Sequence, residues 1–294
     1  MPPMVINKSE RIFQTINNLF FLIVSLTMIA PLINLLAISL SSPLYVNAKL
    51  VTFWPKEFNI RVYETIFGLH SLWRAMGVSV YITLVGTLVT LLLGSSLSYA
   101  LSRRNMKGRK YVLQAIVVTF IFSAPLIPSY LLVRSLGLEN TLWALIVPGS
   151  LSAFYVLIMK TFFEGISPEM FESSKIDGCS EFKIYYRIVL PLSKPVMATI
   201  ALFHAVSQWN SYFGALLYIR ARDLFPLQII LRNIVIDDQA QAILNTSGVE
   251  TMQSSTPEMM KAGIILFATV PILIVYPFLQ RYFVKGAMLG GIKE

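Results

Sequence analysis

A chain of 294 residues that is 55% hydrophobic and only 13% charged, with a mean hydropathy of +0.67, has the composition of a membrane protein rather than a soluble domain. A lone cysteine, Cys179, excludes an intrachain disulfide and a cysteine-based metal site; His70 and His204 stand far apart with no clustered carboxylate, so zinc and general-base chemistry have no support. The net charge of +9 is not a nucleic-acid signal, because no basic stretch is interleaved with aromatics that would stack on bases.

Six intervals contain no Asp, Glu, Lys or Arg: Arg11 to Lys49, Arg74 to Arg103, Lys110 to Arg134, Glu139 to Lys160, Lys194 to Arg220 and Lys261 to Arg281, each at least 19 residues long. A hydrocarbon core of ~30 Å needs ~20 residues of helix. Soluble amphipathic helices keep a charged face, and the ~10-residue alternating strands of a membrane barrel are absent. The expected fold is all-α: a polytopic membrane protein with six transmembrane helices in a single domain, 1–294.

In chain order, span 1 (14–38) follows a short N-terminus; its apolar stretch, Ile16 to Leu40, exceeds the ~7–15 residues of a removable signal peptide. The next loop holds "FWPKEFNIRVYETIF", in which Trp54, Phe58, Tyr63 and Phe67 sit among charges; they form an interfacial belt or a docking surface. Span 2 (77–101) carries Gly86, Gly94, Ser95, Ser96 and Ser98, small enough for close helix approach. Span 3 (111–133), a turn at Gly137, span 4 (141–160), a charged loop (164–194), span 5 (195–219), a loop (220–259), span 6 (261–280) and a Gly-rich tail follow. Pro31, Pro125, Pro128, Pro271 and Pro277 lie in mid-span, as kinks that shape a pathway or as packing irregularities.

The connection "RRNMKGRK" has five basic residues and belongs in the cytoplasm. Six spans then put Lys8, Arg11, Lys175, Lys183, Arg187, Lys194, Lys285, Lys293 and both termini on that side. The opposite loops carry Asp223, Asp237, Asp238, Glu250 and Glu258. No Asp or Glu lies inside a span, against an ion-coupled secondary transporter, and no repeat marks an inverted-repeat fold.

The charged loop reads as helix, turn, helix. Ser167-Pro168-Glu169 is a capped start, a helix runs to Ile176, and Asp177-Gly178 breaks it. Ser180-Glu181 starts a second helix with Phe182, Tyr185, Tyr186, Ile188 and Val189, ended by Pro191 and Pro195. By physics alone this unit lies in the membrane interface or fits a groove on a partner.

Glu172-Ser173-Ser174, two residues, Asp177-Gly178-Cys179 and, with nine residues intervening after Gly178, Ile188-x-Leu190-Pro191 resemble the EAA loop of ABC importer permeases, with serines and cysteine in place of alanines. "SQWNSYFGALLYI" (207–219), "LFPLQIILRN" (224–233) and "PEMMKAGIILFATVPILIVYPFLQRYFVKGAMLGGIKE" (257–294) are similar to carbohydrate-type permeases of the complex-oligosaccharide subgroup. The resemblance implies a type I ABC importer permease fold in a bacterial inner membrane. It makes Glu172, Ser173, Ser174, Asp177, Gly178, Phe182, Tyr185, Leu190 and Pro191 the contact to a cytoplasmic ATPase, with Phe182 and Tyr185 as buried anchors. It also implies two ATP-binding subunits that use ATP and magnesium, a second permease, and an external solute-binding protein that delivers an oligosaccharide. The chain has no G-x-x-x-x-G-K-[ST] loop, so it is expected to be non-catalytic, with no cofactor of its own.

Gln208, Trp209, Asn210 and Tyr212 form a polar and aromatic group in span 5, a candidate sugar path or a set of interhelical hydrogen bonds. His204 reads as a packing histidine. Arg220, Arg222 and Arg232 point weakly to an acidic, uronate-type sugar. The rival reading is a membrane scaffold or receptor subunit that docks a cytoplasmic partner without moving solute.

Overall fold

The computed structural model describes residues 8–236 and 255–290, and among them every regular element is helical. Asp237, Asp238, Glu250 and Lys293 lie outside the described residues. Three single helices are long and apolar enough to cross a membrane: Glu10–Ser39, His70–Ser102 and Pro257–Pro277. Two further pairs pass together but are bent, Arg109–Ile121 with Leu126–Ser135 by 120° and Glu181–Leu192 with Lys194–Trp209 by 77°.

The chain divides into two compact units, one of Met1–His70 with Leu231–Thr269 and one of Ser71–Ile230 with Val270–Glu294. In the first unit, α1 (Lys8–Ser39) buries none of its most apolar stretch. Its end is pinned where the Ser39 hydroxyl donates to the Leu36 carbonyl (2.9 Å) and shares a 2.8 Å hydrogen bond with the Tyr63 hydroxyl. The following loop, with α2 (Pro43–Asn47), is tied back by Ser42 N–H to Lys56 O and Asn59 N–H to Leu40 O, both 2.9 Å. Here α3 (Arg61–Gly68) buries Val62 and Ile66 against Gly263, where a Cβ would stand 2.6 Å from Ile66 Cδ1. Of the loop aromatics, Trp54, Phe58 and Phe67 are exposed, whereas Tyr63 turns inward to Ser39.

In the second unit the post is α4 (His70–Ser102), which starts seven residues before the expected span. Of its small residues Ser96 is exposed and donates to Leu93 O within the same helix, but most face its neighbours: the Ser98 hydroxyl donates to Val156 O at 3.0 Å, and a Cβ on Gly94 would stand 2.7 Å from Met159 Cε. This is the close approach that small side chains permit. The core gathers Tyr99, Met159, Phe163, Phe171, Ile184, Val189, Val196 and Ile200. An acidic residue joins two helices, since Glu164 takes ion pairs from Arg109 and, at 2.8 Å, from Lys160.

Three expected spans are not continuous helices. Residues 111–133 divide into α5 (Arg109–Ile121) and α6 (Leu126–Ser135) because Pro125 drives the residue before it out of the helical region. Residues 141–160 divide into α7 (Trp143–Ile146) and α8 (Ala153–Glu164) across Pro148-Gly149. The 12 residues of α8 reach only about 18 Å at ~1.5 Å per residue. Residues 195–219 divide at Asn210 into the helices described below. By contrast Pro31 lies inside α1, and Pro271 and Pro277 lie inside one helix, Pro257–Gly290. Absence of charge specifies an apolar setting, and helix continuity is a separate property of the backbone.

Candidate functional site

The charged loop forms a helical hairpin. Its first arm, α9 (Pro168–Ile176), is capped by Ser167, whose hydroxyl accepts from Glu169 N–H. At its end Gly178 N–H bonds Lys175 O (3.0 Å) and Cys179 N–H bonds Ser174 O (2.9 Å), with Gly178 at φ 75°. That pairing is a Schellman closure, which requires the left-handed conformation glycine adopts freely. The second arm starts at Ser180, which accepts from Lys183 N–H, and runs through α10 (Glu181–Ile184), a π-helical turn (Tyr185–Val189) and α11 (Leu190–Leu192). Ser193 then bends the chain into α12 (Lys194–Trp209), with Pro195 in its first turn.

The hairpin has two faces. Phe171, Ser174, Ile184 and Val189 are buried, and the Ser174 hydroxyl is used internally, donating to Met170 O at 2.6 Å. Tyr185 is half-buried, and its hydroxyl shares a 2.7 Å hydrogen bond with Ser95 while its ring lies 5.2 Å from Tyr99. Ser174 and Tyr185, expected among the partner contacts, are therefore turned toward the chain's own interior, because the helix period places them on the core side. Outward face Glu172, Ser173, Asp177 and Pro191, together with Ile176 (87% exposed), Phe182 (76%) and Tyr186 (64%). Leu190 and Pro191 line an open groove of about 440 Å³ with Tyr186, Arg187 and Lys194. Large apolar side chains exposed among charges are the kind of surface that meets a partner protein or the membrane interface.

Sequence reasoning missed the residues that fasten this hairpin. Glu181 accepts from the Tyr99 hydroxyl at 2.6 Å and pairs with Lys175 at 2.8 Å and Arg103 at 3.6 Å. The Arg103 guanidinium lies 3.8 Å from the centroid of the Phe171 ring. The Lys175 partner first, and the Tyr99 hydroxyl next, hold the Glu181 carboxyl below the usual carboxylate range. Between the hairpin and the end of α4 lies a cleft of about 400 Å³ lined by Arg103, Arg104, Glu164, Phe171 and Glu172 among others. The signals in the sequence were local, Glu181 at a helix start with Lys175 just across the turn; the Tyr99 hydroxyl comes from 82 residues away.

The span 5 group is dispersed. Gln208 donates to Leu145 O at 2.9 Å, and the Asn210 side chain donates to Val206 O at 2.8 Å where α12 ends. Tyr212 is exposed in the break before α13 (Phe213–Tyr218). Trp209 is 7% exposed and lines an apolar cavity of about 190 Å³ with Thr83, Leu202 and Pro271. Trp209 Nε1 and Thr83 Oγ1 have no hydrogen-bond partner among the described residues. His204 is buried with a 3.1 Å hydrogen bond to the Thr87 hydroxyl, the packing role expected. Arg220 is paired with Glu139 at 2.7 Å. No group of His, Cys, Asp and Glu that could hold a metal occurs among the described residues.

A family profile described as "Binding-protein-dependent transport system inner membrane component" matches residues 91–289, a stretch that contains the whole hairpin. Protein LplC of Bacillus subtilis (strain 168) is 42% identical over 288 residues, covering 97% of this chain and 96% of that one. The polygalacturonan/rhamnogalacturonan transport system permease protein YtcP of the same organism is 39% identical over 287 residues, covering 97% and 99%. Among solved structures, a chain of a bacterial ABC transporter involved in the import of the acidic polysaccharide alginate superposes with a TM-score of 0.86 and 30% identity, covering 94% and 98%.

Proposed function

The chain belongs to the family of binding-protein-dependent transport system inner membrane components, as a non-catalytic permease subunit of a carbohydrate ABC importer, and from that premise we propose that it carries acidic, uronate-type oligosaccharides inward by alternating access. The observation that supports the mechanism is the hairpin: a Schellman-closed turn between two short helices that leaves Ile176, Phe182 and Tyr186 exposed beside Glu172 and Asp177. In this reading the exposed face sits in a groove of a cytoplasmic ATPase subunit. Two such subunits bind ATP and magnesium and close on each other. A second permease completes the pore, and an external binding protein delivers the sugar. The bundle has two arrangements, and nucleotide and loaded binding protein bias which is populated. Both termini lie in the cytoplasm, on the side of the basic connection Arg103–Lys110.

The sugar class is supported by relatives rather than by the surface arginines. Alginate and polygalacturonan, the substrates in the names of two similar proteins, are both polymers of uronic acids, whereas Arg220 is neutralised by Glu139. Vesicles holding the purified complex are expected to take up labelled uronate oligosaccharide only with ATP inside the compartment of the ATPase. Uptake independent of ATP, or purification without any ATPase, would remove the proposal; binding of an ATPase without uptake of any sugar would favour a docking scaffold.

A further inference from the structure

The fastening of the hairpin suggests how motion leaves it. Three elements meet at Glu181, and each pair of them is joined. The end of α4 meets α9 where the Arg103 guanidinium stacks on Phe171 (3.8 Å). The arms α9 and α10 meet across the turn through Lys175 and Glu181 (2.8 Å). The second arm meets α4 through the Tyr99 hydroxyl on Glu181 (2.6 Å), the Tyr99 and Tyr185 rings (5.2 Å) and the Ser95 to Tyr185 hydrogen bond (2.7 Å). Glu181 takes part in two of the three joints, and so does Arg103, which pairs with Glu181 (3.6 Å) as well as stacking on Phe171. Its sequence neighbour Phe182 stands outward, as does Ile176 next to Lys175, so a load applied to the exposed face enters the clamp within one residue. Beneath the clamp, Tyr99, Phe171 and Ile184 share one packed core, and packed cores switch between discrete arrangements instead of deforming smoothly.

We propose that Glu181, with Tyr99 and Arg103, is a positioning residue that locks the hairpin to the end of α4 so that displacement of the hairpin by its partner turns α4 rather than only the hairpin. The inference rests on the permease reading above. It assigns force transmission to groups that touch neither the ATPase nor the sugar. The clamp is made of one carboxylate with charged and hydroxyl donors, hydrogen bonds that are individually stronger than neutral ones, so loss of the carboxylate charge weakens the two joints that Glu181 makes.

The test uses the complete complex in vesicles and measures sugar uptake and ATP hydrolysis in the same preparation. Uptake and hydrolysis by the unaltered complex establish the permease reading on their own, before any variant is considered. Glu181→Gln keeps the shape and removes the charge; Tyr99→Phe removes only a hydroxyl and guards against a folding artefact. Both are expected to retain ATPase co-purification and hydrolysis while sugar moved per ATP falls by about tenfold, the low range of an ordinary coupling free energy. A ratio equal to that of the unaltered complex in both variants overturns the clamp. Loss of ATPase binding in proportion to loss of uptake overturns it as well, since Glu181 would then be part of the contact surface or of the fold.

Discussion

The hairpin and the end of α12 both carry a run of polar and aromatic residues, yet they organise them in opposite ways. In the hairpin, residues separated by the turn are brought together and sorted, with Phe171, Ser174 and Ile184 inward and Ile176, Phe182 and Tyr186 outward. At the end of α12, residues adjacent in sequence are sent apart: Gln208 to the Leu145 carbonyl, Asn210 to its own helix end, Trp209 into an apolar cavity and Tyr212 to the exterior. A turn that reverses the chain concentrates side chains on two faces, whereas a helix that frays spreads consecutive side chains around its axis. Proximity in sequence is therefore informative about a site only where the backbone path is known.

The largest effect that sharpens this contrast is expected at the turn. Gly178 has open space around it and a φ of 75°, so Gly178→Val meets backbone strain alone, roughly 1–2 kcal/mol or more for a β-branched residue. Uptake into vesicles is expected to fall to background with membrane insertion intact, and Gly178→Asn, which tolerates that φ, to recover most of it; equal loss in both would point to a side-chain effect. Next, Phe182→Ala on the exposed face is expected to leave thermal stability within about 0.5 kcal/mol but to weaken ATPase association by about 2 kcal/mol or more, as for a central contact residue. Titration of the purified ATPase onto the permease reads this directly, and an unchanged affinity would take Phe182 out of the contact.

Smaller effects belong to the α12 end. Gln208→Leu leaves the Leu145 carbonyl without its donor and is expected to cost about 1–3 kcal/mol of stability, while Trp209→Phe deletes an N–H that has no partner among the described residues and is expected to cost less, through the lost ring volume alone, about 1 kcal/mol. Thermal unfolding in lipid compares the two, and the reverse order would show that the indole, not the amide, is the bonded group. The smallest effect concerns pH. Glu181 has its pKa lowered by Lys175 and Tyr99, with Arg103 adding to it, so the clamp's contribution is complete above the ordinary carboxylate value, roughly 4.3, and is lost only as pH falls through the lower value of the folded state. Cysteine accessibility at Cys179, half-buried in the turn, is expected to be flat between about pH 6 and 8, after correction for thiol ionisation, and a change within that window would contradict the assignment.

Much of the molecule is legible from residue order because it follows from local chemistry. Charge-free intervals announced the apolar helices, and the Ser167 cap, the Gly178 turn and the Ser180 cap appear at the residues their types predicted. The dipeptide Pro148-Gly149 is an equally local signal for the break in residues 141–160, since freedom from charge does not imply helix continuity. The Pro125 break shows the same lesson, whereas Pro31, Pro271 and Pro277 stay within helices, as neighbouring groups permit in an apolar bundle.

The apolar intervals, the caps and turn of the hairpin, and the spacing that marks it are legible in the sequence alone, all governed by interactions within a few residues. Which side of each helix faces inward, and that Tyr99 and Arg103 converge on the Glu181 carboxylate, was decided only by tertiary structure. The physical reason is that a carboxylate's partners are chosen by distance in space, and the α4 end and the hairpin, some eighty residues apart, are neighbours only in the packed unit, where α8 and α12 lie against small residues of α4.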